Sequence, residues 1–190
     1  MAMSSQRKVL LTPEEYLAVE RGSEGRSEYL AGKVFAMVGA SKRHNLIVSN
    51  IIRVLGNQLL DRPCNVYPSD MRVKVSPLGK YTYPDVVVAC DEELFEDAEN
   101  DTLLNPVVIF EVLSESTEAY DRGKKFEHYQ YIESLKEYLP VSQVPYRVEQ
   151  FVRQGVRDWR YSEYHAAEDV LKIGDIGCEL ALKDVYAKVT

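Results

Sequence analysis

The chain has 190 residues, of which 45% are hydrophobic and 28% charged, and its formal net charge is −7; these values suit one globular domain spanning residues 1–190. No apolar run approaches the roughly 18 residues of a membrane span, and the N-terminus has no apolar core of signal-peptide length. The three cysteines are odd in number and have no CxxC spacing, which predicts a cytoplasmic protein without a zinc site or a disulfide framework.

The first third of the chain predicts a helix, a hairpin and a second helix. Thr12 and Pro13 open "LTPEEYLAVE", and a Thr cap followed by Pro is typical of a helix start. Two β-rich runs in "SEYLAGKVFAMV" indicate an N-terminal hairpin. From about residue 43 to residue 60, apolar side chains recur at the spacing of an amphipathic helix.

The middle of the chain predicts three strands, in "CNVYPSDMRVKVS", "TYPDVVVAC" and "PVVIFEVLS". The last two are dense enough in Val and Ile to be covered on both faces. A second long helix in "STEAYDRGKKFEHYQYIES", a strand in "EYLPVSQ" and a C-terminal hairpin turning near Gln154-Gly155 follow. The core order α-β-β-β-α-β predicts an α/β (α+β) fold in which helices flank a mixed central sheet.

Two of these apolar strands carry one acid each, Asp85 and Glu111. A buried carboxylate is costly unless a cation accompanies it. Side chains alternate faces along a strand, so Glu111 shares a face with Ile109, and an Asp85 facing the same way could bind one Mg²⁺ or Mn²⁺ together with Glu111. An equally good interpretation is that Asp85 caps the turn after Pro84 and Glu111 pairs with an Arg or Lys.

An Asp after Pro at a strand start, followed by a Glu on a later apolar strand, resembles the PD-(D/E)XK nuclease superfamily. Its restriction-endonuclease-like core has the element order predicted above. The resemblance implies that Asp85, Glu111 and the backbone carbonyl of Val112 hold a divalent metal. In that superfamily a Lys usually follows the Glu by two residues, but this chain has Leu113 there, so the lysine must come from another element.

The longer string "YPDVVVAC…PVVIFEVLSESTEAYDRGKKFEHYQ" resembles the Uma2 family (DUF820) of restriction-endonuclease-like proteins. In that family, the strand glutamate is followed by "VLS", a Ser/Thr-rich turn and a D-R-G-x-K-x-x-x-Y helix. The resemblance implies that Lys125 supplies the lysine, with Asp121 before it and Tyr129 after it. Residues four apart share one face of a helix, so Lys125 is expected to reach the strand ends while Lys124 points away.

Glu28 and His44 match the family's earlier pattern of a hairpin glutamate followed by a histidine at a helix start. Glu28 is either a third acid near the metal or a surface residue paired with a neighbouring base. His44 either hydrogen-bonds to a phosphate or an acid, or serves as a capping or packing residue. Three basic residues on or beside the same helix are weaker candidates for phosphate contacts: Lys42, Arg43 and Arg53.

The resemblance implies a Mg²⁺- or Mn²⁺-dependent endonuclease that hydrolyses DNA phosphodiester bonds. Asp85 and Glu111 would hold the metal, and Lys125 would orient the attacking water. The charge distribution allows a nucleic-acid partner, since residues 1–80 carry 12 basic against 7 acidic residues, whereas residues 81–137 carry 4 against 15. The alternative is a catalytically inactive module of the same fold that binds nucleic acid or another partner. Nucleases that cut both strands often dimerise, which leaves a homodimer open.

Overall fold

A computed structural model describes residues 10–115 and 117–190. Residues 1–9 lie outside the described residues, and so does what the sequence predicts for them: their place in the single domain and the character of the N-terminus. The helices are α1 (Pro13–Arg21), α2 (Lys42–Leu59), α3 (Glu118–Tyr120), α4 (Phe126–Tyr129) and α5 (Leu182–Val185). The strands are β1 (Ser27–Leu30), β2 (Lys33–Ala36), β3 (Cys64–Pro68), β4 (Arg72–Val75), β5 (Lys80–Thr82), β6 (Val86–Cys90), β7 (Thr102–Leu103), β8 (Val108–Leu113), β9 (Glu137–Ser142), β10 (Val148–Arg153), β11 (Trp159–Tyr164), β12 (Val170–Ile173) and β13 (Cys178–Ala181).

Local signals account for the starts of the two longer helices. At α1, the Thr12 hydroxyl accepts a hydrogen bond from the Glu15 backbone N–H, and the Glu15 carboxylate accepts one from the Thr12 N–H, which is a capping box. At α2, Ser41 caps the His44 N–H. The apolar stripe of α2 buries Ile47, Ile51, Leu55 and Leu59 against the central sheet.

The central sheet has the strand order β11-β10-β9-β8-β6-β3. Neighbouring strands are antiparallel except for the parallel pair β8 and β9. The predicted order α-β-β-β-α-β is present in this part of the fold. It consists of α2, β3, β6, β8, the helical segment that starts with α3, and β9. The predicted C-terminal hairpin is the pair β10 and β11, and the N-terminal hairpin is β1 and β2.

A second sheet, with the order β2-β1-β5-β4-β7, corrects the prediction of three middle strands. The stretch predicted as the first strand divides into β3 and β4, and the second divides into β5 and β6. In both places a turn or irregular stretch lets the chain pass from one sheet to the other: residues 69–71 and residues 83–85. Asp85 therefore lies at a junction between the two sheets.

The two faces of the central sheet carry separate cores. One face packs against α2, β12, β13 and α5 and contains Val86, Val88, Phe110 and Val112. The opposite face contains Val87 and Ile109 and packs against α4 and the second sheet. This alternation is the one expected for strands that are covered on both sides.

The predicted second long helix is shorter than expected. It consists of α3, a π-helical turn (Asp121–Lys125) and α4, and the helical part ends at Tyr129. Two 3-10 turns, Ser76–Leu78 and Gly174–Ile176, lead into β5 and β13. No helix within residues 10–115 and 117–190 is long and apolar enough to cross a membrane.

The sequence predicts no disulfide framework, but the structure has a disulfide. Cys64 and Cys90 form one, with their Cα atoms 3.9 Å apart. The two residues are register partners in the antiparallel pair β3 and β6. A reading of cysteine spacing cannot find such a bridge, because the pairing of two strands brings together residues that are 26 positions apart. Cys178 is a free, buried thiol.

The end of α2 offers a direct test of its packing, because two adjacent leucines differ in exposure: Leu59 is 3% exposed and Leu60 is 79% exposed. We expect Leu59→Ala to lower the free energy of unfolding by about 2–5 kcal/mol, since it leaves a cavity in the core. Leu60→Ala, as the matched control, should change it by less than about 0.5 kcal/mol. Urea denaturation measures both, and equal losses would show that α2 does not pack on the sheet in this register.

Candidate active site

Asp85 and Glu111 lie opposite each other on adjacent strands. Val86 of β6 is the register partner of Phe110 of β8, so continuing the ladder by one residue pairs Asp85 with Glu111. Both side chains lie on the face that also carries Val87 and Ile109. The Asp85 carboxylate oxygen Oδ2 accepts a 2.7 Å hydrogen bond from the Val112 backbone N–H, which fixes the side chain just before the start of β6.

Glu111 is a buried acid, with 4% of its surface exposed. Its Oε1 atom accepts a 2.7 Å hydrogen bond from the Tyr129 hydroxyl and lies 2.9 Å from the Lys125 Nζ atom. Burial raises the pKa of Glu111 to about 8; the Lys125 charge opposes this rise, and the charges of Asp85 and Asp121 add to it. The surroundings of Glu111 therefore favour its protonated form, and a cation at the carboxylate is what favours the charged form.

Lys125 enters the site from the π-helical turn and is 7% exposed. Its Nζ atom lies 3.4 Å from Glu28 Oε1 and 3.6 Å from Asp121 Oδ1, besides the contact with Glu111. Burial alone would lower the pKa of Lys125, but the charges of Glu111, Tyr129, Glu28 and Asp121 raise it well above the usual value. Lys125 is therefore a permanent ammonium, whereas the side chain of its neighbour Lys124 is exposed.

The packing of the helical segment explains why Lys125 points inward. Phe126, the next residue, stacks on Tyr138 of β9 with ring centroids 5.0 Å apart. The Tyr138 hydroxyl donates a 3.0 Å hydrogen bond to the Asp121 backbone carbonyl. Tyr129 is fully buried against the sheet. These contacts hold the turn against β8 and β9, and π-helical turns are frequent at functional sites.

Glu28 reaches the same place from the second sheet. It lies on β1, next to β5 in that sheet, and accepts a short hydrogen bond from the Thr82 hydroxyl. Burial alone would raise the pKa of Glu28, but Lys125 and Lys80, together with the hydrogen bond from Thr82, lower it below the usual value. Glu28 is therefore not a surface residue paired with a neighbouring base. It lies beside Lys125, the lysine that also contacts Glu111 and Asp121.

Lys80 is a member of the site that the sequence analysis missed. It is 1% exposed, its Nζ atom lies 3.8 Å from Glu28 Oε2, and it donates a 3.1 Å hydrogen bond to the Tyr120 hydroxyl. Burial lowers the pKa of Lys80, and the nearby Lys125 lowers it further, against the effect of Glu28. The available signal was strand alternation, since Lys80 and Thr82 share a face of β5 just before Asp85.

His44 contacts Asp85 rather than a core residue. Its Nε2 atom lies 3.1 Å from Asp85 Oδ2, and its backbone N–H is the one that Ser41 caps. Its Nδ1 atom is buried without a hydrogen-bond partner among the described residues. The sequence alternative in which His44 hydrogen-bonds to an acid is the arrangement in the structure.

The three basic residues of the α2 region are not part of this cluster. Lys42 and Arg53 are exposed, and the exposed Arg43 donates a 2.8 Å hydrogen bond to the Thr190 carbonyl. Within the described part of the chain, none of the three forms an ion pair with an acid of the site. Their proposed contacts with phosphate remain sequence-based predictions.

We refer to Glu28, Asp85, Glu111 and Asp121 as the carboxylate cluster. Two lysines, Lys80 and Lys125, face these four acids, which leaves a formal charge of −2 with His44 neutral. Carboxylate and carbonyl oxygens are the ligands that Mg²⁺ and Mn²⁺ prefer, and a divalent cation would balance this excess. The chemistry of these donors therefore fits such an ion.

In the arrangement observed, however, the ammonium of Lys125 fills the role of the cation at Glu111. Among residues 10–115 and 117–190, no three His, Cys, Asp or Glu side chains are grouped so that they could hold a metal ion. Glu111 thus pairs with a lysine, as one sequence interpretation has it, whereas Asp85 accepts its hydrogen bond from the Val112 N–H and not from the turn after Pro84. The shared metal ion of the other interpretation stays a prediction. The site combines oxygen ligands with a permanently charged donor beside them.

Comparison with known proteins supports this description of the fold. A family model described as "Uma2: Putative restriction endonuclease" matches residues 13–183. Two proteins of Synechocystis sp. are similar: "Uncharacterized protein sll1609" is 38% identical over 81% of this chain and 87% of its own length, and "Uncharacterized protein slr1290" is 35% identical over 93% and 91%. The crystal structure of "a putative nuclease belonging to DUF820" from Anabaena variabilis has a TM-score of 0.77 and 18% identity, covering 95% of this chain and 99% of that one. The predicted mixed α/β (α+β) fold is confirmed.

The burial of Glu111 predicts a pH dependence of stability in the metal-free protein. In the folded chain Glu111 is protonated up to a pH of about 8, but in the unfolded chain only up to about 4.5. Between these values the folded state binds more protons, so the free energy of unfolding should fall as the pH rises, by at most on the order of 1 kcal/mol per pH unit.

Glu111→Gln should flatten this dependence, because glutamine does not titrate. Glu115→Gln replaces an exposed acid two residues after the end of β8. It is the matched control and should keep the pH dependence of wild type. Urea denaturation with EDTA at pH 5, 6, 7 and 8 provides the measurement. A slope that is the same in both variants would mean that Glu111 ionises normally in the folded protein.

Proposed function

Because the chain belongs to the Uma2 family, we propose that it is a metal-dependent nuclease that hydrolyses DNA phosphodiester bonds at the carboxylate cluster. The observation that carries the proposal is that Asp85, directly before β6, lies next to Glu111 of the neighbouring β8, with the Lys125 ammonium 2.9 Å from Glu111. A metal-dependent phosphodiesterase uses a divalent cation and a hydrogen-bond donor beside it. The two carboxylates would supply ligands for the cation, and Lys125 would supply the donor.

Asp85, Glu111 and the Val112 backbone carbonyl would hold the Mg²⁺ or Mn²⁺. When bound, such an ion lowers the pKa of a water and offsets the negative charge that develops on the phosphate. The hydrogen bond from the Val112 N–H holds the Asp85 carboxylate in place, and the Tyr129 hydroxyl does the same for Glu111. Val112 and Tyr129 thus position the two ligands from the strand and from the helix.

Lys125 would act as a charged hydrogen-bond donor. Its neighbouring carboxylates raise its pKa, so it stays protonated at neutral pH and does not serve as the base. It would orient the attacking water and stabilise the charge on the phosphate oxygens in the transition state. Leu113, at the position where the superfamily usually has its lysine, is buried, and Lys125 would replace that lysine from the helix side.

The family description, a restriction endonuclease, supports DNA as the proposed substrate. Lys42, Arg43 and Arg53 are the exposed cations of α2 that would contact the phosphate backbone, and such contacts supply affinity without sequence information. A homodimer would present two clusters to the two strands of a duplex, which size-exclusion chromatography with and without DNA can test.

A second candidate function is a catalytically inactive module of the same fold that binds nucleic acid or another partner. One observation favours it: Glu111 already has a cation, because Lys125 pairs with it directly. In that case the carboxylate cluster would be a structural ion-pair network, and no metal would be required for the protein to act.

Metal-dependent cleavage separates the two functions. We expect wild type to cleave at least one of supercoiled, linear, single-stranded and branched DNA with Mg²⁺ or Mn²⁺, and none of them with EDTA. Glu111→Gln should lower the rate by about 100-fold or more, because even indirect contacts to a metal contribute roughly 10- to 100-fold.

Glu115→Gln is the control variant and should cleave as fast as wild type. Circular dichroism must first show that both variants are folded. Equal cleavage rates in wild type and folded Glu111→Gln would contradict the role of Glu111 as a metal ligand. If wild type cleaves none of the substrates, the inactive module is favoured.

The role of Lys125 predicts a difference between two adjacent lysines. Lys125→Met should lower kcat by roughly 100-fold, the usual cost of removing one donor to the transition state. Lys124→Met removes the same formal charge from an exposed side chain and should leave kcat within about twofold. Single-turnover cleavage with saturating metal measures both. A loss of similar size in both variants would indicate a general charge effect instead of a donor at the phosphate.

A further inference from the structure

The ammonium of Lys125 occupies the place of an ion. It lies 2.9 Å from Glu111, 3.4 Å from Glu28 and 3.6 Å from Asp121, so three carboxylates from three separate segments surround one nitrogen. The side chain is 7% exposed, and little water is available to screen these charges. Lys125 is thus the cation that holds the carboxylate cluster together in the protein as observed.

Lys80 cannot replace it at Glu111. Its Nζ atom is held by the Tyr120 hydroxyl and lies within 5.8 Å of the centre of the Tyr129 ring, and its ion pair is with Glu28 at 3.8 Å. Among the described residues, Lys125 is the lysine or arginine that forms an ion pair with Glu111. Glu28, by contrast, has a lysine on either side.

A divalent cation at Asp85 and Glu111 would compete with Lys125 directly. Both cations would be bound by the carboxylate of Glu111, and two positive charges in a site of this burial repel each other strongly. Lys125 can leave Glu111 without losing every partner, because Asp121 and Glu28 remain beside it. Glu28 and Asp121 would therefore keep the ammonium next to the metal.

We propose that Lys125 is the resident counter-ion of the carboxylate cluster and that a divalent metal displaces it from Glu111. This inference rests on the proposed function. The ion pair with Glu111 keeps Lys125 away from substrate in the metal-free protein. Metal binding releases the ammonium from Glu111 and makes it available to a phosphate, so loading of the metal and activation of the lysine are one event.

Metal affinity, measured without DNA, tests the exchange. Isothermal titration calorimetry with Mn²⁺ compares wild type, Lys125→Met and Lys124→Met. The exchange predicts that Lys125→Met binds Mn²⁺ about tenfold more tightly than wild type, since removing the competing ammonium frees Glu111. Lys124→Met loses the same charge at an exposed position and should match wild type within about twofold. Lys125→Met with an affinity equal to or weaker than that of wild type would overturn the proposal, as would the absence of Mn²⁺ binding in all three proteins.

A second measurement uses the unmodified protein and so does not depend on the folding of a variant. Reductive methylation followed by mass spectrometry reports how freely each lysine reacts. Adding Mg²⁺ should increase the labelling of Lys125, while that of Lys124 stays high and that of Lys80 stays low. Labelling of Lys125 that does not respond to saturating Mg²⁺ would contradict the exchange.

The two proposals fail in distinguishable ways. If wild type cleaves DNA with Mg²⁺ but Lys125→Met binds Mn²⁺ no more tightly than wild type, the exchange is contradicted and the proposed nuclease function is supported. Tighter Mn²⁺ binding by Lys125→Met, combined with a wild type that cleaves no DNA, supports the exchange at a metal site that serves another purpose.

Discussion

The interaction on which the site depends is the ion pair between Glu111 and Lys125 inside the protein. Four carboxylates meet two lysines there, and water is largely excluded from Glu111 and Lys125. Breaking one partner of a buried pair leaves an uncompensated charge, so such a cluster has to be held by its surroundings. The hydroxyl of Tyr129, the Val112 N–H and the rings around Lys80 provide that support.

The fold creates the cluster by joining two sheets at one place. The chain leaves the second sheet after β5 and enters the central sheet at β6, and Asp85 is the last residue of that passage. Glu111 comes from the middle of the central sheet, Glu28 from the hairpin of the second sheet, and Lys125 from the turn that covers both. The turn contributes both Asp121 and Lys125, and each of the other segments contributes one charged side chain, so none of them forms a site alone.

Moving the lysine from a strand to a helix changes what it can do. A lysine at position 113 would share the face of Glu111 on the same strand and would be fixed beside it. Lys125 instead projects from a helical turn with three acids in reach, so it has more than one stable partner. In the proposed nuclease, that choice of partners would let the same ammonium stabilise the metal-free protein and assist a reaction on a phosphate.

Much of this architecture follows from local sequence patterns. Periodicity determined α2, both hairpins, the buried strands, and the shared face of Ile109 and Glu111, since side-chain direction depends only on the residues of one element. Resemblance to a family singled out Lys125. Tertiary structure alone decided that two predicted strands divide between two sheets, that Cys64 pairs with Cys90, and that Lys80 lies beside Glu28. These contacts depend on the register and docking of distant segments, which no local pattern encodes.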